Sequence, residues 1–126
     1  MSVDDNKAII RRVFDEALNQ GKLELVDELF NSDFVDHSTP EQATGPTGVK
    51  DFFSSVRSSF PDIHVTIDDM IAEGSKVVVR TTWYGSQQRR ETDNDPTGKQ
   101  GRGTLIQIFR LENGQIVEEW NEGTIA

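Results

Sequence analysis

Apolar residues in the first half of the chain recur every three or four positions, and after residue 62 they recur every second one. Over 4–20, Ile9, Ile10, Val13, Phe14, Ala17 and Leu18 make one stripe, with Arg11, Arg12, Asp15 and Glu16 opposite it. That spacing predicts an amphipathic helix. Asp4, Asp5 and Asn6 suit its positive N-terminal end, and Gly21 suits its stop. A shorter helix is predicted over 22–30 with Leu25, Val26, Leu29 and Phe30 inward, and the short turn before it makes the two helices neighbours. Phe34-Val35-Asp36-His37 then reads as a short strand, and a loop rich in Thr, Pro and Gly runs to Gly48. Val49, Phe52, Phe53, Val56 and Phe60 mark a third amphipathic helix, stopped by Pro61.

The strand period follows. Ile63, Val65 and Ile67 alternate with His64, Thr66 and Asp68, and Glu73-Gly74-Ser75 turns the chain into a β-branched and aromatic strand over 76–84. Another strand is predicted over 103–111. Glu112-Asn113-Gly114 makes a hairpin into a last strand over 115–122, because Asn-Gly readily supplies positive φ. Residues 85–101, polar and rich in Arg, Asp, Pro and Gly, read as two strand ends joined by a mobile loop. Helices first and strands afterwards is an α+β signature. The expected architecture is a cone-shaped α+β barrel, three N-terminal helices on a curved antiparallel sheet, in one domain over 1–126. Such a cone offers an apolar small-molecule pocket.

Composition narrows the partners. The 126 residues are 34% apolar and 28% charged, with a formal net charge of −9. That charge opposes binding to phosphate backbones and to anionic lipid surfaces, so neither nucleic acid nor membrane is expected as a partner. The chain has no cysteine, which excludes disulfides, a thiolate nucleophile and cysteine metal sites. Two histidines without HExxH spacing define no metal geometry, so no metal is expected. With no signal peptide or apolar span, the cytoplasm is the expected location.

Candidate chemistry concentrates at few positions. His37, beside Phe34 and the Gly/Pro loop, suits a pocket wall as an acid/base group, against the plainer reading of a histidine that caps the loop. A direct Asp36–His37 dyad is disfavoured because strand neighbours point to opposite faces. His64 reads as a surface or subunit-contact residue. Gln107 interrupts an apolar run and needs a partner if buried, whether a ligand, a neighbouring strand or a second subunit. In the last strand Val117, Glu119 and Asn121 share one face, and Ile116, Glu118 and Trp120 share the other. A desolvated Glu118 or Glu119 there makes a general base, against the alternative of a solvated edge charge. Phe34, Phe53, Trp83 and Trp120 are candidate apolar ligand contacts. Between Lys76 and Arg110 seven basic residues face three acidic ones. Arg80 is therefore a candidate to stabilise a bound anion, or else one rung of a cross-strand charge ladder.

Several strings, taken in order, resemble the SnoaL-like polyketide cyclase family of the nuclear-transport-factor-2-like superfamily. They are Phe34-Val35-Asp36-His37, Gly45-Pro46-Thr47-Gly48-Val49, Phe60-Pro61-Asp62, Glu73-Gly74-Ser75-Lys76, Pro96-Thr97-Gly98-Lys99 and the run from Ile108-Phe109-Arg110 to Glu118-Glu119-Trp120. The resemblance spans nearly the whole chain. It implies the cone fold, commonly a homodimer through the outer sheet face, and cofactor-free acid/base chemistry on a carbonyl compound: aldol cyclisation, isomerisation or hydrolysis. In that family the acidic residue tends to follow the tryptophan in an E-x-W-D pattern, where this chain has Asn121, and a histidine is expected on the preceding strand, where Gln107 stands. The resemblance thus implies His37 or Glu119 as the proton-transfer group, with Asn121 and Gln107 positioning a carbonyl. The alternatives are a binder of a small apolar carbonyl compound that does not turn it over, or a dimeric interaction module.

Overall fold

The computed structural model describes residues 2–86 and 100–125. Of the segment over 85–101 predicted as two strand ends and a loop, residues 87–99 lie outside the described residues. The first helix starts as α1, Val3–Arg12. Ser2 Oγ accepts from the Asp5 N–H at 3.0 Å while the Asp5 carboxylate accepts from the Ser2 N–H at 3.1 Å, so two otherwise orphaned donors are satisfied reciprocally. Past Arg12 the helix does not stop but widens into i→i+5 turns over Val13–Leu18, the Asn19 N–H reaching the Phe14 carbonyl at 2.9 Å. Apolar periodicity reads this segment as ordinary helix, since a single wide turn alters the stripe very little.

α2 is short, Leu25–Leu29, and β1 begins at once, Phe30–Asp36. Phe30 was an expected helical residue. It instead pairs with Ile116, and the strand starts there rather than at Phe34. α3 covers Pro46–Ser59, its proline in the first turn where a missing N–H costs nothing. Gly45 just before it sits at φ +82°, and a Cβ there would lie 2.5 Å from the Ser32 carbonyl oxygen. Only glycine fits both constraints.

The strands β2 (His64–Glu73), β3 (Lys76–Ser86), β4 (Gln100–Glu112) and β5 (Gln115–Ile125) form one sheet with β1, in the order β1-β5-β4-β3-β2. β2 to β5 are antiparallel neighbours, as expected, and Asn113 (φ 51°) and Gly114 (φ 81°) make the tight turn between β4 and β5. β1, however, runs parallel to β5, so the sheet is mixed. Hydrophobic alternation assigns faces and carries no information on strand direction.

Along β3, Val77, Val79, Thr81 and Trp83 are buried, and they face the helices with Gln107, Phe109 and Leu111 of β4. Ile10, Phe14, Leu18, Val26 and Phe53 pack down on them. The opposite sheet face carries a transverse apolar row in register, Ile71, Val78, Ile108 and Trp120.

Asn19 ties the helices to the free edge of this sheet. Its Oδ1 accepts from the Val65 N–H at 2.8 Å and its Nδ2 donates to the Val65 carbonyl at 2.9 Å, so one amide completes the edge strand β2 as a further strand would. Arg57 reaches back to donate to the carbonyls of Leu18 and Asn19 at 2.6 and 3.1 Å, satisfying the end of the widened helix. Asn19→Ala is expected to cost about 2 kcal/mol in denaturant unfolding, because two backbone groups lose their partners. Asn19→Asp, which keeps the acceptor and loses the donor, should fall between the two.

Candidate functional site

Between the helix layer and the inner sheet face lies a cavity of about 190 Å³. Aromatic residues from each layer wall it, among them Phe14, Phe52, Phe53, Trp83 and Phe109. Phe14 stands edge-on to Trp83 (centroids 6.3 Å, 90° between planes) and to Phe109 (6.2 Å, 71°), an arrangement aromatic quadrupoles favour. The wide turns of the first helix carry Val13 and Phe14 to this wall.

One end of the cavity is polar. Asp36, Gln107, Glu119 and Asn121 meet there, from β1, β4 and β5. Gln107 Nε2 donates to Glu119 Oε2 at 3.2 Å and to Asn121 Oδ1 at 2.9 Å. Asn121 Nδ2 donates to the Asp36 carboxylate at 3.1 and 3.3 Å. Behind them Trp83 Nε1 donates to Thr81 Oγ1 at 3.0 Å, and Thr81, which is off the cavity wall, donates through Oγ1 to Gln107 Oε1 at 3.3 Å. Backbone pairing holds the strands in place for this. The His37 N–H donates to the Glu119 carbonyl, and Ser38 Oγ both accepts from the Asn121 N–H and donates to its carbonyl.

Enclosure in this aromatic surrounding pushes the Glu119 carboxyl up to about 8, and the negative charge of Asp36 adds to the rise. Hydrogen bonds from Asn121 and Gln107 oppose it without cancelling it. Glu119 therefore holds its proton at neutral pH and releases it just above.

Of the positions singled out in the sequence, Phe53, Trp83, Gln107, Glu119 and Asn121 come together around this cavity. His37 does not. It lies on the outer side, 42% exposed, with Nε2 2.7 Å from Glu118 Oε2 and its ring stacked on Trp120 at 5.0 Å. His37 and then Arg110 hold the Glu118 carboxyl below the usual carboxylate range. Trp120, expected as a ligand contact, thus belongs to the outer face. Arg80 also points outward, pairing with Asp69 at 2.7 Å and Asp68 at 3.7 Å in the ladder arrangement. Phe34 is buried but packs edge-on against Phe30 at 4.8 Å, and it is Phe30 that meets the cavity. The expected faces of β5 need one change. Arg110 pairs with Glu118 but Leu111 with Ile116, so Val117 is an extra residue and Ile116 joins Glu119 on the inner side.

Asp36, which the sequence offers only as a disfavoured partner for His37, joins the site, and strand parity carries the signal, since it puts Asp36 on the same face as the apolar Phe34 and puts His37 on the other. Thr81 shares the parity of Trp83, the one sequence signal that places it inward. Among the described residues no cluster of three or more His, Asp or Glu side chains has the arrangement to hold a metal ion.

The family model for SnoaL-like polyketide cyclases matches residues 8–123. The chain belongs to that family. TsrD from Streptomyces laurentii is 24% identical, with a TM-score of 0.84 over 98% of this chain and 90% of that one. IdmH from Streptomyces antibioticus is 27% identical, with a TM-score of 0.79 over 94% of this chain and 91% of that one. A SnoaL-like polyketide cyclase from Agrobacterium tumefaciens shares 12% identity at a TM-score of 0.75, covering 98% of this chain and 92% of that one. No curated protein matches the chain. No described helix is long and apolar enough to cross a membrane.

Because the folded state raises the Glu119 carboxyl from its ordinary 4.5 to about 8, the native protein binds that proton more tightly than the unfolded chain does. Its contribution to stability is fully present below about pH 4.5 and is lost as pH rises through 8, on the order of 5 kcal/mol in all. Thermal melts of wild type and Glu119→Gln across pH 5 to 9 are expected to diverge, the variant gaining on wild type as pH rises.

Proposed function

We propose that the chain catalyses proton transfer on an aromatic or polyketide-like ketone held in the cavity, with Glu119 as the group that takes and returns the proton. The observation that carries this reading is a half-buried carboxyl at the polar end of an aromatic-walled cavity, poised at about 8. A base whose pKa lies near the operating pH is both ionised in part and strong enough to act as a general base. The ionised Glu119 removes a proton from the carbon beside a carbonyl, leaving an enolate and a neutral carboxylic acid. Where the same molecule offers a second carbonyl in reach, the enolate carbon attacks it, and the acid returns its proton to the alkoxide that forms.

The remaining polar residues divide the work. Gln107 spends both N–H groups on Glu119 and Asn121, so its part is to orient the carboxyl rather than to hold a carbonyl. Asn121 occupies the place of the acidic residue in the family pattern and links Glu119's neighbourhood to Asp36. His37 is left out, because its imidazole engages Glu118 and Trp120 on the outer face. The apolar row on that face supports the expected homodimer, and Ile106 beside it is half exposed.

Proton transfer is testable without the natural substrate. Incubated in D₂O with 1-tetralone, a bicyclic aryl ketone sized for the cavity, the protein should exchange the hydrogens beside the carbonyl, followed by NMR. The rate should climb by about tenfold per pH unit below the Glu119 midpoint and level off above it. Glu119→Gln should lower it by about 10²–10⁴-fold, and His37→Ala should leave it within a factor of two or so. Binding of the ketone with no exchange above background would point instead to a carrier. Separately, light scattering should report a dimer that Ile106→Glu shifts towards monomer, because desolvating a charge at an apolar contact opposes the pairing.

A further inference from the structure

The hydrogen bonds at the polar end form a chain whose two ends have opposite character. At one end stands the Trp83 indole N–H, which can only donate, and at the other the Asp36 carboxylate, which accepts from the Ser38 N–H, the Thr39 hydroxyl and Asn121. Between them Thr81, Gln107 and Asn121 can each donate and accept. Asp36 requires the Asn121 nitrogen, which turns Asn121 Oδ1 to Gln107. That oxygen requires the Gln107 nitrogen, which turns Gln107 Oε1 to Thr81. Thr81, accepting from Trp83, still has its own hydrogen to give to Gln107 Oε1. Every bond is then satisfied in one direction, from Trp83 to Asp36.

We infer that Thr81 is a positioning residue: its buried hydroxyl locks the Gln107 amide in the orientation that aims both N–H groups at Glu119 and Asn121. With the amide turned over, Gln107 Oε1 would face the oxygens of both partners. Thr81 is fully buried and is not on the cavity wall, so it acts on a bound molecule only through Gln107. Its neighbours in the chain are within hydrogen-bond distance on each side, 3.0 Å to Trp83 and 3.3 Å to Gln107. Removing the hydroxyl leaves the indole N–H and the Gln107 oxygen unpaired, and rotation of the amide then meets no opposition from this side.

The orientation of Gln107 stands on the hydrogen bonds alone, whereas its consequence for proton transfer rests on the role proposed for Glu119. Thr81→Val keeps the shape and removes the hydroxyl, Thr81→Ser restores it, and Thr81→Ala repeats the loss should the valine variant not fold. In ¹⁵N-labelled protein the Gln107 side-chain amide is expected to show two distinct, slowly exchanging protons in wild type and the serine variant. In the valine or alanine variant these should exchange at least about tenfold faster, as a lost buried bond implies. The Glu119 ¹³Cδ titration midpoint should move upward by about half a unit or more with the hydroxyl gone and return in the serine variant, since a donor to the carboxylate is lost. Unchanged Gln107 amide protons in the hydroxyl-free variant overturn the inference. A wild-type Glu119 midpoint near its ordinary 4.5 would instead defeat the proposed function, with the Gln107 protons still deciding on Thr81.

Discussion

A carboxyl group drawn partly out of water at the polar end of an aromatic-walled cavity is the constraint on which the rest of this molecule turns. Removed from water, Glu119 is costly to ionise, and the surrounding protein keeps it there with two amides in place of solvent. The fold offsets that cost with a continuous apolar core in which Phe14, Trp83 and Phe109 pack edge to face. Proton chemistry at neutral pH and the instability that a buried acid brings are two aspects of the same desolvation.

The scaffold supplies three displacements that regular elements would not. The wide turns over Val13–Leu18 carry Phe14 to the cavity wall and leave Asn19 aligned with the edge of β2. The extra residue at Val117 lets Ile116 fill the core while Glu119 and Asn121, further along the same strand, still point inward. Parallel pairing of β1 with β5 sets Asp36 opposite Glu119, so that two carboxyl groups distant in the chain act on one another. The first two are local departures from periodicity, and the third is a pairing of distant segments.

The two sheet faces divide the charge. Outside, Arg80 with Asp68 and Asp69, and Arg110 with Glu112 and Glu118, make ladders in reach of solvent, where ion pairs are worth little individually. Inside, no lysine, arginine or histidine lines the cavity among the described residues, so Glu119 has no cation to lower it. The adjacent carboxylates Glu118 and Glu119 are driven in opposite directions by facing opposite ways.

Most of the fold was legible because burial leaves a periodic record. Ile9 to Leu18 announced a helix, Val77 to Trp83 a strand, and Asn113-Gly114 a turn, through spacing and backbone freedom that belong to the residues themselves. The site was legible in part: the parity of the last strand grouped Glu119 with Asn121 without deciding whether that face or the one with Glu118 and Trp120 looks inward, and the break in an apolar run selected Gln107. What the chain alone left undecided was every relation between distant segments. That His37 would meet Glu118 outside, that Asp36 would face Glu119 inside, and that Thr81 would stand behind Gln107 depend on strand direction, register and one bulge. Those are settled by long-range pairing, whose partners lie up to some eighty residues apart, so no local pattern records them.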